Sequence, residues 1–229
     1  MSNKEKILSQ LKNKLVVSVQ PVDHGVLDNP EIVSLLSQAA VNGGAGGIRI
    51  EGVKKLECSR PHLKVPVIGI VKYDLDDSPV RITPFLEDVE NLAKAGADII
   101  AFDGTDRKRP VSREELVKAI HSHGCLAMAD CSSPEDGDYC ASLGCEIIGT
   151  TLSGYTGGPI PEQADFALIE YFANKGYFVM GEGRLNTPDD VKKAIYSGAS
   201  CVTVGTVLTR LEVMTEKFAN AVATSKKEL

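Results

Sequence analysis

Two apolar runs late in the chain, Val179-Met-Gly-Glu182 and Cys201-Val-Thr-Val-Gly205, each meet glycine beside a polar residue and then lead into a helix start. Glycine admits close approach to the backbone, and the unpaired N–H groups of a helix start donate to an anion. Gly183, Gly205 and Thr206 therefore have the makings of a phosphate grip, and Arg210 downstream adds a fork suited to bidentate contact. Glu182 stands inside that grip. Phosphate repels a carboxylate, so Glu182 needs a chemical reason to be there.

The elements that must position these groups repeat along the chain. Short β-branched runs at Leu15–Gln20, Gly47–Glu51, Val65–Lys72, Asp98–Asp103, Leu126–Cys131, Glu146–Thr151, Tyr177–Glu182 and Cys201–Gly205 alternate with amphipathic runs such as Asn29–Asn42, Pro84–Ala95, Arg113–His123, Asp165–Lys175 and Pro188–Ser197. Ser112-Arg-Glu-Glu115 and Thr187-Pro-Asp-Asp190 read as capped helix starts. Gly96, Gly124, Gly144, Gly176 and Gly198 fall where helices stop. Eight strands alternating with helices through short links predict an α/β chain closed into a (β/α)8 TIM barrel, a single domain over residues 1–229. The rival, an open doubly wound sheet, should carry a glycine-rich turn after its first strand, and Gln20-Pro21-Val22 is not one. Residues 1–14 read as an extension over the barrel bottom, with a short helix at Lys4–Asn13, and 224–229 as a loose tail.

In such a barrel all strand ends share one face. Gln20, Arg49 with Glu51, Lys72, Asp103, Asp130, Thr150 with Thr151, Glu182 with Arg184, and Gly205 then converge. Taken singly, a charge at a strand end is a solvated loop residue. Lys72, Asp130, Arg49 and Glu182 are different, because each follows or interrupts an apolar run, and buried charges persist when paired or used. Asp74-Leu-Asp-Asp-Ser78 lacks the glycine and distal glutamate of a calcium loop and reads as a solvated turn, so no metal site is expected. Asp106-Arg-Lys-Arg-Pro110 is a basic loop on the ligand face, either a steering patch for an anion or a plain turn. His121 and His123 suit the last turn of a helix, and His24 and His62 lack strand-end partners.

Composition narrows the function classes. A net charge of −6, with no basic stripe interleaved with aromatics, argues against nucleic acid as a partner. No apolar run approaches the roughly 20 residues of a membrane span, and Met1-Ser-Asn-Lys-Glu-Lys6 has no signal-peptide core, so a cytoplasmic protein without a membrane partner is expected. The six cysteines form no CxxC pair and read as small packing residues, with Cys131 as the candidate reactive thiol.

From about Leu15 to about Phe218 the chain resembles the bacterial N-acetylmannosamine-6-phosphate 2-epimerases, the NanE family. The resemblance rests on Val17-Ser-Val-Gln-Pro21, Ile48-Arg-Ile-Glu-Gly52, Ile68-Gly-Ile-Val-Lys72, Ile99-Ile-Ala-Phe-Asp-Gly-Thr105, Met128-Ala-Asp130, Thr150-Thr-Leu-Ser-Gly-Tyr-Thr156, Gly181-Glu-Gly-Arg-Leu-Asn-Thr187 and Thr209-Arg210. It implies a TIM barrel, usually a homodimer, that interconverts N-acetylmannosamine 6-phosphate and N-acetylglucosamine 6-phosphate in sialic acid catabolism, with no cofactor. The matching motifs make Lys72 the catalytic lysine and Glu182 the catalytic carboxylate. Gln20, Arg49, Asp130 and Arg210 fall on substrate-binding and supporting positions, and Arg184 joins them beside the phosphate. Val19 and Tyr73 depart from the family, which often has cysteine and arginine there.

Inverting C2 of a 2-acetamido aldose removes a proton beside the C1 carbonyl and returns it on the other face, through an enolate whose oxygen needs preplaced donors or cations. Lys72 can be the base where burial leaves it partly neutral, paired with Glu182 across the barrel mouth and sharing a proton with it, while Glu182 orients the lysine and relays protons with the substrate's hydroxyls. Alternatively, Glu182 can be the base with Lys72 as a fixed cation. Competing readings are another phosphate-binding barrel, such as a pentulose-phosphate epimerase or a thiamine-phosphate synthase, and a sugar-phosphate sensor without catalysis.

Overall fold

Eight parallel strands pair in sequence order, and the last pairs with the first, closing a barrel. The structure is a computed structural model describing residues 2–225. The strands are β1 Leu15–Val19, β2 Gly47–Glu51, β3 Val67–Ile70, β4 Ile99–Asp103, β5 Leu126–Asp130, β6 Ile147–Gly149, β7 Val179–Glu182 and β8 Cys201–Val204. Every expected strand is present, trimmed by at most four residues, because the outermost residues turn out of the ladder into loops. The helices are α1 Asn3–Leu11, α2 Pro30–Asn42, α3 Val53–Ser59, α4 Leu86–Lys94, α5 Arg113–Ser122, α6 Pro134–Ser142, α7 Phe166–Asn174, α8 Pro188–Tyr196, α9 Thr206–Thr209 and α10 Leu211–Ser225. Of these, α3 and α6 are absent from the sequence expectation: α3 has only seven residues, and α6 buries Asp136, Gly137 and Cys140 in place of an aliphatic stripe, so neither shows a helical period.

Side chains alternate across each strand, so two sets of apolar residues form two cores. The outward set, including Val17, Ile48, Ile100, Phe102, Ala129 and Val202, packs under the helices. The inward set, including Val16, Ile68, Ile70, Ile99, Leu126, Met128, Ile147 and Met180, fills the barrel, and Ile7 and Leu11 of α1 join it from below. The same two-residue register continued upward gives Lys72 after Ile68 and Ile70, Asp103 after Ile99 and Ala101, Asp130 after Leu126 and Met128, and Glu182 after Met180. The interior is thus apolar at the floor and charged at the mouth, which is why the strand-end residues meet.

Helix stops fix the strand entries. Gly198 sits at φ +100 after α8, and a Cβ there would come within 2.5 Å of the Ala173 Cβ, so both the turn and the α7 contact require glycine. At the other end of the chain, α10 carries no buried residue, with Leu211, Phe218 and Val222 more than 60% exposed. It takes in Thr224 and Ser225, the first two residues of the expected loose tail; 226–229 lie outside the described residues. No described helix is long and apolar enough to cross a membrane.

Candidate active site

The barrel mouth opens on a cavity of about 620 Å³ lined by side chains from most of the strand ends. At its centre is Arg49 on β2, 1% exposed, whose Nη1 and Nη2 donate to Asp130 Oδ1 at 3.1 Å and Oδ2 at 2.6 Å. Nη1 also donates to Glu182 Oε2 at 2.9 Å. The Thr151 hydroxyl stands 2.6 Å from Asp130 Oδ1 and 3.1 Å from Glu182 Oε2, and its single proton serves one of them at a time. Burial works against the Arg49 charge, but the Asp130 and Glu182 carboxylates outweigh it and hold its pKa above the ordinary guanidinium value. Arg49 is therefore a permanent cation at the floor of the cavity.

Lys72 lies two residues beyond β3 and donates to Gln20 Oε1 at 2.5 Å, while Gln20 Nε2 donates to Ser18 Oγ at 2.6 Å. Among the ion pairs of the described residues Lys72 has none. Burial, and then the Arg49 cation, pull its pKa below the ordinary lysine value against the opposing pull of Glu51, Asp23 and Glu182. Glu182 moves the other way. Burial raises its pKa, with Asp130 adding to the rise and Arg49 resisting it. Its backbone is clamped by Thr150, whose hydroxyl accepts from Glu182 N at 3.0 Å and donates to Glu182 O at 2.8 Å. Its Oε1 makes no hydrogen bond among the described residues and belongs to a side chain lining the cavity. Lys72 and Glu182 thus do not form the contact pair that sequence reasoning drew across the mouth; Arg49 takes the carboxylate and Gln20 takes the lysine.

The loops after β7 and β8 stand side by side on the cavity wall. Gly183, at φ +101, turns the chain in a way closed to residues with a Cβ. Gly205 and Thr206 start α9, where the amides of Leu208 and Thr209 both return to the Gly205 carbonyl. The Thr209 hydroxyl ties this turn to Ser18 O at 2.9 Å. Gly183, Gly205, Thr206 and Arg210 all line the cavity. The Arg210 Nε is buried without an acceptor among the described residues, an unpaired donor of the kind a bound anion would satisfy.

Two residues assigned to substrate contact from the sequence have different places. Asp130 is fully buried beneath Arg49 and does not line the cavity. A strand-end aspartate in the inward register looks the same in sequence whether it meets ligand or a neighbouring arginine. Arg184 lines the cavity, but its Nε and Nη1 donate to Gln163 O at 2.7 Å and Ser153 O at 2.6 Å, and its guanidinium lies 5.3 Å from the Tyr155 ring centre. It fastens the loop after β6.

Residues that sequence reasoning left out also line the cavity: Ser18, Asp23, Thr203 and Asn186. Ser18 and Thr203 share the inward register of their strands, a signal readable from alternation. In the basic loop, Arg107 lines the cavity and donates to Asp103 Oδ2 at 2.5 Å, whereas Arg109 holds the backbone carbonyls of Asp103, Thr105 and Val111. Only one of its cations lines the cavity. Asp74 pairs with Arg81 at 2.7 Å, His121 with Glu146 at 3.1 Å, and Cys131 is wholly buried with its thiol pKa pushed well up, so none of these three is placed for catalysis. Six cations line the cavity, Arg49, Lys72, Arg81, Arg107, Arg184 and Arg210, against the carboxylates Asp23, Asp103 and Glu182. On a chain of net charge −6 the mouth is locally positive, which favours an anionic ligand.

Comparison with known proteins bears on which anion. Residues 33–224 match the NanE family model, described as "Putative N-acetylmannosamine-6-phosphate epimerase". A relative from Haemophilus influenzae named "Putative N-acetylmannosamine-6-phosphate 2-epimerase" is 58% identical over 222 residues, 97% of each chain. Among solved structures, the N-acetylmannosamine-6-phosphate 2-epimerase from Clostridium perfringens superposes with a TM-score of 0.89 at 38% identity, covering 93% of this chain and 95% of that one. A thiamine phosphate pyrophosphorylase from Pyrococcus furiosus, at TM-score 0.59 and 13% identity over 86% of this chain and 88% of that one, shares the fold alone.

Proposed function

The chain belongs to the NanE family of N-acetylmannosamine-6-phosphate epimerases, and from that premise we propose that it interconverts N-acetylmannosamine 6-phosphate and N-acetylglucosamine 6-phosphate in sialic acid catabolism, through an enolate formed over Arg49. The observation that carries the chemistry is the opposed pair Lys72 and Glu182. Lys72 follows β3 and Glu182 ends β7, four strands apart in a closed ring of eight, so they approach the cavity from opposite walls. Their pKa values shift toward each other, which brings neutral lysine with protonated glutamate closer in free energy to the charged pair. Epimerisation needs a base on one face of C2 and an acid on the other.

In one direction the neutral Lys72 amine takes the C2 proton of the open-chain sugar. The C–H electron pair becomes the C1–C2 double bond, and the carbonyl pair moves onto O1. Arg49, held in place by Asp130, stabilises that oxygen without reorganising. Protonated Glu182 then gives its proton to the opposite face of C2 as the carbonyl re-forms, leaving ammonium and carboxylate, the state from which the reverse direction starts. Gly183, Gly205 and Thr206 supply backbone donors to the 6-phosphate, Arg210 its fork, and Gln20 a donor–acceptor amide beside the reacting end.

Nuclear magnetic resonance of the reaction in deuterated water tests this at two levels. Appearance of the gluco epimer from the manno epimer tests the activity; ligand-induced thermal stabilisation without turnover would instead establish a sensor. Deuterium uptake at C2 tests the pair: Glu182→Gln should exchange only one epimer and Lys72→Met only the other. Equal loss from both epimers in both variants would reject a base on each wall.

The homodimer also belongs to this proposal. A 15-residue helix with no buried residue and three strongly exposed large apolar side chains supports a second copy covering α10. A phosphorylated sugar does not cross a bilayer unaided, which supports the cytoplasm as the place of the reaction.

A further inference from the structure

Between β3 and β4 the barrel wall is not built by the two strands alone. Their ladder holds two residue pairs, Ile68↔Ile99 and Gly69↔Ile100, where β4 and β5 share five. Above those pairs the strands part, and Ile82 and Thr83 fill the gap. Ile82 O accepts from Asp103 N at 3.1 Å, and Thr83 N donates to Val71 O at 2.9 Å. The Thr83 hydroxyl donates to Ala101 O at 2.7 Å and accepts from Val71 N at 3.5 Å. A side-chain hydroxyl stands where the barrel would otherwise have a backbone rung.

These two residues close a hairpin that leaves β3 at Lys72. Lys72 bridges antiparallel to Ile82 and Leu75 to Ser78, Tyr73 N donates to Arg81 O at 3.1 Å, and the tip is pinned by the Ser78 hydroxyl to Lys108 O at 2.6 Å. Lys72, Arg81 and Ile82 all line the cavity, so the hairpin is its wall. Thr83 is fully buried and has φ +47, a left-handed conformation that a β-branched residue adopts only when its surroundings impose it. Glycine would sit there without strain. The threonine instead keeps its hydroxyl between β3 and β4, one residue beyond the bridge partner of Lys72.

We propose that Thr83 is a positioning residue for Lys72: its hydroxyl joins the hairpin to both strands and so fixes the backbone from which the lysine reaches Gln20 and the substrate. This rests on the reading of Lys72 as a carrier of the C2 proton. Thr83→Val keeps the branched shape and removes both hydroxyl bonds, Thr83→Gly removes them and the strain, and Thr83→Ser restores the hydroxyl. Displacing a proton carrier by a fraction of an ångström to an ångström lowers kcat by about 10- to 100-fold. That loss is expected in Thr83→Val and Thr83→Gly, with KM nearly unchanged because the phosphate grip lies across the barrel on β7 and β8, and Thr83→Ser should recover most of kcat. Wild-type kcat in either hydroxyl-free variant, or a parallel change in kcat and KM, would overturn the proposal. Combining Thr83→Val with Lys72→Met separates it from the reading it rests on. The exchange that survives in Lys72→Met should fall no further when Thr83→Val is added, and a further fall would mean that Thr83 acts elsewhere. Wild-type exchange of both epimers by Lys72→Met alone would remove Lys72 from the reaction whatever Thr83 does.

Discussion

Asp130→Asn decides between the place the sequence suggests for this residue and the place the structure assigns it. In the folded chain Asp130 accepts two bonds from Arg49, at 2.6 and 3.1 Å, with both side chains shut off from solvent. Hydrogen bonds to charged groups contribute about 1.5–3 kcal/mol each, and breaking a buried pair costs about 3–5 kcal/mol. Asparagine keeps one acceptor, and Glu182 still faces Arg49, so the expected loss falls somewhat below that of a fully broken pair, at about 2–4 kcal/mol. For a chain of this size each kcal/mol corresponds to about 2–4 °C, so Tm should fall by roughly 4–16 °C in calorimetry. Activity should fall through kcat, because Arg49, the cation proposed to stabilise the enolate, loses its anchor and Glu182 loses a carboxylate that helps raise its pKa. KM should change little, since Asp130 does not line the cavity. A variant that melts within about 2 °C of the wild type but binds the sugar phosphate more weakly would refute the reasoning and return Asp130 to direct substrate contact.

The pH dependence of kcat should be a bell whose limbs both fall between 4.5 and 10.5, because Glu182 is raised from the first value and Lys72 lowered from the second. Below the acid limb both groups carry protons and no base remains; above the basic limb neither does and no acid remains, so a kcat flat across that interval would contradict the shared proton. Arg210→Ala should raise KM for the 6-phosphate sugar far more than for its unphosphorylated analogue, by about 10-fold or more for a lost charge-assisted bond, and an equal effect on both would take Arg210 out of phosphate binding. Phe218→Glu on the exposed α10 should shift the mass measured by light scattering from dimer to monomer, and an unchanged mass would place the contact elsewhere.

The barrel and the membership of its mouth are legible in the sequence because both follow from one local rule, alternation along a strand. Once Ile68 and Ile70 point inward, Lys72 must as well, and the same counting reaches Asp103, Asp130, Thr151 and Glu182. Pairing across the mouth obeys no such rule. It depends on side-chain length and on the distance between strands, neither of which leaves a mark on spacing. The arginine of β2 is long enough to reach both β5 and β7, and it therefore separates Glu182 from Lys72. The hairpin 72–82 is hidden for a related reason: its bridges join residues too few and too polar to show a period, and its key residue is a threonine where backbone geometry alone would call for glycine. Burial is what lets the two shifts coexist, with Arg49 adding to the fall of the lysine and Asp130 to the rise of the carboxylate. A direct Lys72–Glu182 ion pair would push the lysine up and the carboxylate down, fixing the proton on nitrogen. Arg49 keeps Glu182 out of contact with Lys72 and repels the ammonium, while burial and Asp130 outweigh its pull on the carboxylate. The two states of the pair thus come closer in free energy, the near balance that the proposed transfer from one wall to the other needs.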